Sequence, residues 1–178
     1  MLSDEDLLGA ARGGDEAAFT ALYRRRQGAV YRFALHMSGD AAVSEDVTQE
    51  VFLALLEGSG RFDPSRGSLL SFLYGIARNL VLRRVEKKPA QDTEEVATDE
   101  DVLDDLTRRE TIEAVRSAVL SLPAQYREAV VLCDLENASY EDAAAALDCP
   151  LGTVRSRLSR GRAMLAQKLS AKAVRSMS

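Results

Sequence analysis

Arginines set among small side chains near the C-terminus are the residues of this chain best suited to chemistry. From Leu151 to Ser178 there are seven Lys or Arg and no acid. On a helix turning ~100° per residue, Leu151, Val154, Leu158, Gly161 and Leu165 form one apolar stripe. Opposite lie Ser156, Ser159, Arg160 and Ala163, with Arg155 and Arg162 on one flank, Arg157 on the other and Thr153 at the head of the helix. Short side chains let a helix sink into a major groove, and guanidinium forks reach phosphates or guanine edges. A basic solvated face is the competing reading; the tight turn before this helix favours DNA.

A second constellation lies on a helix expected over Leu69–Glu86. Leu69, Leu70, Leu73, Ile76, Ala77, Leu80 and Val81 share one broad arc, and the other carries Phe72, Tyr74, Arg78, Asn79 and Arg83. Aromatic rings beside cations suit an unstacked single strand, since rings stack on bases while arginines hold phosphates. Completion of the core by Phe72 or Tyr74 is the alternative. A third constellation is the row Asp46, Gln49, Glu50 and Leu53, parallel to an apolar row of Val43, Val47, Val51 and Leu55. It reads as a protein-docking face or as ordinary solvated surface.

Catalysis is disfavoured. The single histidine, His36, lacks a GxSxG elbow to serve, and GxGxxG, GxxxxGK[ST] and HExxH patterns are absent. Cys133 and Cys149 have neither CxxC spacing nor a histidine close in sequence, which predicts reduced, partly buried thiols and neither metal nor cofactor. No apolar run approaches a membrane span, and the acidic start Met1–Asp6 lacks the order of a secretion signal, so a cytoplasmic protein is expected.

The elements that must position these residues are helical, because Ala, Leu, Glu and Arg dominate and alternating β-branched runs are missing. The spacing predicts helices over Asp15–Arg26, Ala29–Met37, Ala42–Glu57 and Leu69–Glu86, then Glu110–Ser121, Pro123–Asp134, Tyr140–Leu147 and Gly152–Leu169. The fold class expected is all-α, with two small helical domains, 1–88 and 110–178, joined by an acidic flexible linker, 89–109. The formal charge of −5 hides this layout. The linker holds eight acids and two bases, while the first domain is balanced at twelve of each and the second has nine bases to eight acids. Asp148-Cys-Pro-Leu-Gly152 allows only a tight turn, so the last two helices read as a helix-turn-helix. Up to this point a stand-alone helix-turn-helix repressor and a purely protein-binding helical module both remain open.

Four segments taken in order narrow the choice. They are Glu45-Asp-Val-Thr-Gln-Glu-Val-Phe52, Phe72-Leu-Tyr-Gly-Ile-Ala-Arg-Asn79, Leu122-Pro through Val131-Leu132, and Ser139-Tyr-Glu-Asp through Asp148-Cys-Pro-Leu-Gly-Thr-Val-Arg-Ser-Arg157. Together they resemble a bacterial RNA polymerase sigma factor of the small extracytoplasmic-function (ECF) group, over roughly residues 5–170. The resemblance implies that Asp46, Gln49, Glu50 and Phe52 dock on the coiled coil of the largest polymerase subunit. It implies that Arg61, Ser68, Phe72, Tyr74, Arg78, Asn79 and Arg83 recognise and melt the minus-ten promoter element. Thr153, Arg155, Ser156, Arg157, Ser159, Arg160 and Arg162 would read the minus-thirty-five element, and the second domain would touch the polymerase flap. An anti-sigma partner is also implied. The chain departs from the family at Phe72, where Trp is frequent, and has no Trp at all.

Overall fold

The computed structural model describes residues 1–58, 61–87 and 104–178, and every regular element among them is a helix. In chain order these are α1 (Asp4–Arg12), α2 (Glu16–Ser38), α3 (Ala41–Glu57), α4 (Leu69–Lys87), α5 (Asp104–Leu120), α6 (Ala124–Val130), α7 (Tyr140–Leu147) and α8 (Leu151–Ser176). A short 3-10 turn, Pro64–Arg66, precedes α4, and a π-helical turn, Val131–Leu135, continues α6.

Three local differences from the sequence reading have physical causes. The acidic N-terminus forms α1, because Ser3 and Asp6 make a reciprocal capping box. Asp4 then anchors α1 on α2 by accepting from Arg25 at 2.9 Å and from Arg26 at 2.6 Å. The helices expected on either side of Gly28 are one continuous helix, ending at Gly39 in the left-handed conformation. A mid-helix glycine costs only about 1 kcal/mol, which the buried side chains of Leu22, Val30, Phe33, Ala34 and Met37 outweigh. Finally, α5 begins at Asp104, inside the expected linker, and the linker's residues 89–103 lie outside the described residues.

The first half packs α2, α3 and α4 around Leu22, Phe33, Val47, Phe52, Leu55, Leu73, Ala77 and Val81. In the second half, Leu122, Ala129, Val130 and Leu158 form a small cluster of their own between α6 and α8. The remaining buried residues of that half, among them Val119, Leu132, Ala143, Ala146, Leu147 and Val154, belong to the same core as the first half. The two helical units are thus packed on each other, chiefly through α4 on α7 and α2 on α5. Gly75 permits the closest approach: a Cβ there would lie 3.3 Å from the Ala146 carbonyl oxygen.

Candidate nucleic-acid interface

The turn before α8 is built as the sequence predicts. Asp148 takes the left-handed conformation (φ 49°), Pro150 caps α8, and the chain reverses between Leu147 and Leu151. At the start of α7, Ser139 Oγ accepts from the Asp142 amide at 3.0 Å. The Asp142 carboxylate in turn accepts from Ser68 Oγ at 3.0 Å, across to the other half.

On α8 the apolar stripe lies inward, with Val154, Leu158 and Gly161 buried. Outward are Arg155, Ser156, Ser159, Arg160 and Arg162, all exposed, with Thr153 and Arg157 half-buried. Two of the arginines are held in place. Arg155 lies 5.8 Å from the centre of the Tyr140 ring, and Arg162 donates to both oxygens of Asp134, at 3.0 and 2.6 Å. The Asp134 carboxylate also holds Arg162 more firmly protonated. The result is a rigid, small-residue face edged with cations, the shape and charge that a duplex groove accepts.

The α4 constellation divides. Arg61, Ser68, Asn79 and Arg83 are exposed. Phe72 is half-buried against Phe62, ring centres 5.6 Å apart. With Arg61, Arg66 and Asp148 these rings line an open cleft of about 320 Å³. Tyr74 is not at the surface: it is 2 % exposed, packs on Phe33 and donates its hydroxyl to Glu136 at 3.3 Å. Burial first, and the Glu136 charge second, push its phenol far above the ordinary range. The polar arc of α4 read from the sequence is real, yet at Tyr74 and Arg78 the second half covers it. Arg78 lies 2.9 Å from Glu128, itself 1 % exposed.

The α3 row also divides. Asp46 and Gln49 are exposed, and Glu50 is ion-paired with Arg84 of α4. Phe52 turns inward, 4.8 Å from Tyr23 and 6.4 Å from Phe19, because it continues the buried side of α3. It supports the row from beneath and presents nothing to a partner. The exposed apolar members are Leu53 and Leu56.

The residues missed from sequence are the second half's carboxylates. Glu128 and Glu136 face Arg78, Arg32 and Tyr74, and Arg127 caps carbonyls at Met37, Leu120 and Leu122. The available signal was Glu128 itself, a charge directly before the apolar run Ala129–Cys133, where burial demands a partner. Cys133 and Cys149 are free, half-buried thiols, and burial raises the Cys133 pKa. Among the described residues no helix is long and apolar enough to cross a membrane, and no group of His, Cys, Asp or Glu could hold a metal ion.

Comparison with known proteins places this geometry. Residues 22–90 match the Sigma-70 region 2 family and residues 112–165 match Sigma-70, region 4. The ECF RNA polymerase sigma factor SigM of Mycobacterium tuberculosis is 35 % identical over 94 % of this chain and 85 % of its own length. SigE of Mycolicibacterium smegmatis is 34 % identical over 88 % of this chain, which spans 65 % of that relative. Among solved structures, CnrH in complex with the cytosolic domain of CnrY superposes with a TM-score of 0.75 at 26 % identity, over 94 % of this chain and 97 % of the other. The sigma factor RpoE of Bartonella quintana, in complex with the anti-sigma factor NepR, superposes at 0.70 with 25 % identity, over 85 % and 96 %. The chain belongs to the ECF RNA polymerase sigma factors of the sigma-70 family.

Proposed function

We propose that the chain joins core RNA polymerase and supplies its promoter recognition, with α8 on the minus-thirty-five element, α4 and the loop before it on the minus-ten element, and the α3 row on the coiled coil of the largest subunit. The second domain, 110–178, also reaches the flap. No bond is made or broken by the chain itself, which works in the cytoplasm without a cofactor. The observation that carries the reading is the α8 face: exposed arginines around Ser156 and Ser159 on a helix anchored through Val154 and Leu158.

Two DNA readers that are weak alone gain effective concentration once one scaffold carries both. Phosphate contacts position them, base contacts select the sequence, and capture of unstacked bases draws the duplex open. A net charge of −5 disfavours DNA binding without that scaffold. An anti-sigma partner is supported by the Bartonella RpoE, a sigma factor solved in complex with the anti-sigma factor NepR and alike in fold over most of its length.

Run-off transcription tests the reading. Core polymerase plus this chain, acting on a fragment library from the source genome, yields transcripts sharing two upstream elements. A chain that neither binds core polymerase nor starts transcripts refutes it. Tight footprinting by the chain alone on a palindrome would favour a repressor instead.

A further inference from the structure

We infer that Asp134 is a positioning residue for duplex readout: it holds the Arg162 guanidinium so that the free edge of that fork reads a guanine in the upstream element. The inference rests on the reading of α8 given above and adds a specificity determinant that lies outside the helix. Geometry, local structure and charge support it separately.

The geometry is that of the fork. A guanidinium carries five N–H groups in one rigid plane. Arg162 spends its side edge on Asp134, with Nε donating to Oδ2 at 3.0 Å and Nη2 to Oδ1 at 2.6 Å. The end edge, formed by Nη1 and the second hydrogen of Nη2, is left for another pair of acceptors. The Arg162 side chain remains 53 % exposed, so that edge is open to a ligand. Guanine O6 and N7 are such a pair.

Asp134 owes its place to the turn that carries it. Val131–Leu135 is a π-helical turn, and the Glu136 amide donates to the Val131 carbonyl at 2.9 Å. This turn sends two acids to different neighbours: Asp134 to α8, and Glu136 to Arg32 and Tyr74 of the first half. Turns of this kind interrupt helices most often at functional sites. The chain then passes Asn137, left-handed at φ 55°, and enters α7 at Tyr140, whose ring steers Arg155. Arg155 and Arg162 are seven residues apart, so they share one side of α8 at about 10.5 Å along its axis. Both arginines of this flank are thus directed from outside the helix. The side chains of Arg157 and Arg160 make no hydrogen bond or ion pair among the described residues.

Charge decides between a guanine and a phosphate. The Asp134 carboxylate offsets the Arg162 cation and repels a phosphate brought to the same place. What the pair retains is direction, which a neutral base edge needs more than a phosphate does. Exposed ion pairs add little to folding stability, so the effect of this one is expected in readout.

The test uses the full chain with core polymerase, on a promoter recovered by the run-off experiment above. Each guanine of the upstream element is replaced in turn by 7-deazaguanine, which keeps O6 and lacks the N7 acceptor. At one position the wild-type chain should lose about five- to tenfold in initiation, the scale of part of a bidentate contact. R162A should be indifferent at that position. D134A should be indifferent there too, while keeping the wild-type response at the other guanines and the wild-type urea midpoint. If D134A lowers the midpoint, D134N, of the same size, carries the test. A variant that keeps the guanine response, or that loses initiation equally on every template, overturns the inference. An element in which no guanine responds also overturns it. So does an Arg162 response that follows methylphosphonate replacement of a phosphate, which would make the fork a phosphate clamp. Absence of initiation by the wild-type chain on unmodified DNA removes the functional reading instead.

Discussion

Two arginine-bearing helix faces, on α4 and α8, look alike in sequence and differ in what covers them. On α8 the polar arc is open, and its cations are steered by neighbours at the margin, Tyr140 and Asp134. On α4 the arc is split. Asn79 and Arg83 meet solvent, while Tyr74 is buried with its hydroxyl on Glu136 and Arg78 meets Glu128 of α6. Both helices present their apolar stripes to a core as amphipathicity requires. The difference lies in the second contact, which only tertiary packing supplies. One face is open and the other is partly covered.

The largest expected effect comes from breaking the open face from beneath. A Cβ at Gly161 would meet Val130 Cγ2 at 2.7 Å and the Tyr126 carbonyl oxygen at 3.2 Å. Gly161→Val therefore forces α6 and α8 apart and costs about 1–3 kcal/mol, by the usual scale of overpacking. A lower urea midpoint and lost protection of the upstream element in footprints of the polymerase complex would show it. An unshifted midpoint would mean that the α6–α8 contact yields freely, and that the face is less rigid than its packing implies.

Arg160→Ala tests the same face without disturbing its support, since Arg160 is exposed. A specific base contact is worth about 1–3 kcal/mol, so run-off transcription should fall by roughly five- to 150-fold. Urea stability should stay unchanged. Undiminished output would remove Arg160 from the reading set and leave the arginine edge as a phosphate clamp. The closed face has its own wedge. Gly75→Val pushes on the Ala146 carbonyl without altering any charge. It should raise the binding of a labelled thymidine oligomer by about three- to tenfold as the open fraction grows. If binding stays fixed, α7 yields locally, and the contrast between the faces is one of packing alone.

Much of this contrast was legible in the sequence, and its missing half has a definite cause. The α8 stripe could be read because Leu158 and Gly161 pack within their own unit, where periodicity and burial agree. The turn at Asp148–Pro150 could be read because proline excludes a continuous helix. Tyr74 and Phe52 were misplaced because a helical arc records only which residues are polar or aromatic, not which neighbour arrives over them. Tyr74 is buried by Phe33 of α2 and by Glu136, the latter 62 residues away. Phe52 completes an aromatic group with Phe19 and Tyr23 of α2. Long-range pairs such as Arg78–Glu128 and Ser68–Asp142 leave no local period. Only the isolated Glu128, next to an apolar run, gave a hint of them.

The smallest effect expected is a pH dependence at the edge of the contact between the two helical units. His36 sits in the last turn of α2. Its pKa is lowered by burial first, then by Arg116 of α5 and Arg32 of α2, while Arg127 donates to the carbonyl of the adjacent Met37. Every charged group named here is cationic, so protonating His36 in the packed state is unfavourable. Above its ordinary value of about 6.5 the imidazole is neutral in both packed and unpacked chains and contributes no pH dependence. As pH falls below that value the unpacked chain takes up the proton first, and stability is lost down to the lowered pKa of the packed form. Glu136 acts in the opposite sense. Burial raises its pKa, against the pull of Arg32 and Tyr74, so acid relieves a penalty there. A His36→Asn variant isolates the first contribution. The difference between its urea midpoint and that of the wild-type chain should change between pH 8 and pH 5.5, with the wild type losing more. Parallel profiles would mean that His36 reaches water in the packed chain, and that the α2–α5 edge of that contact is already loose.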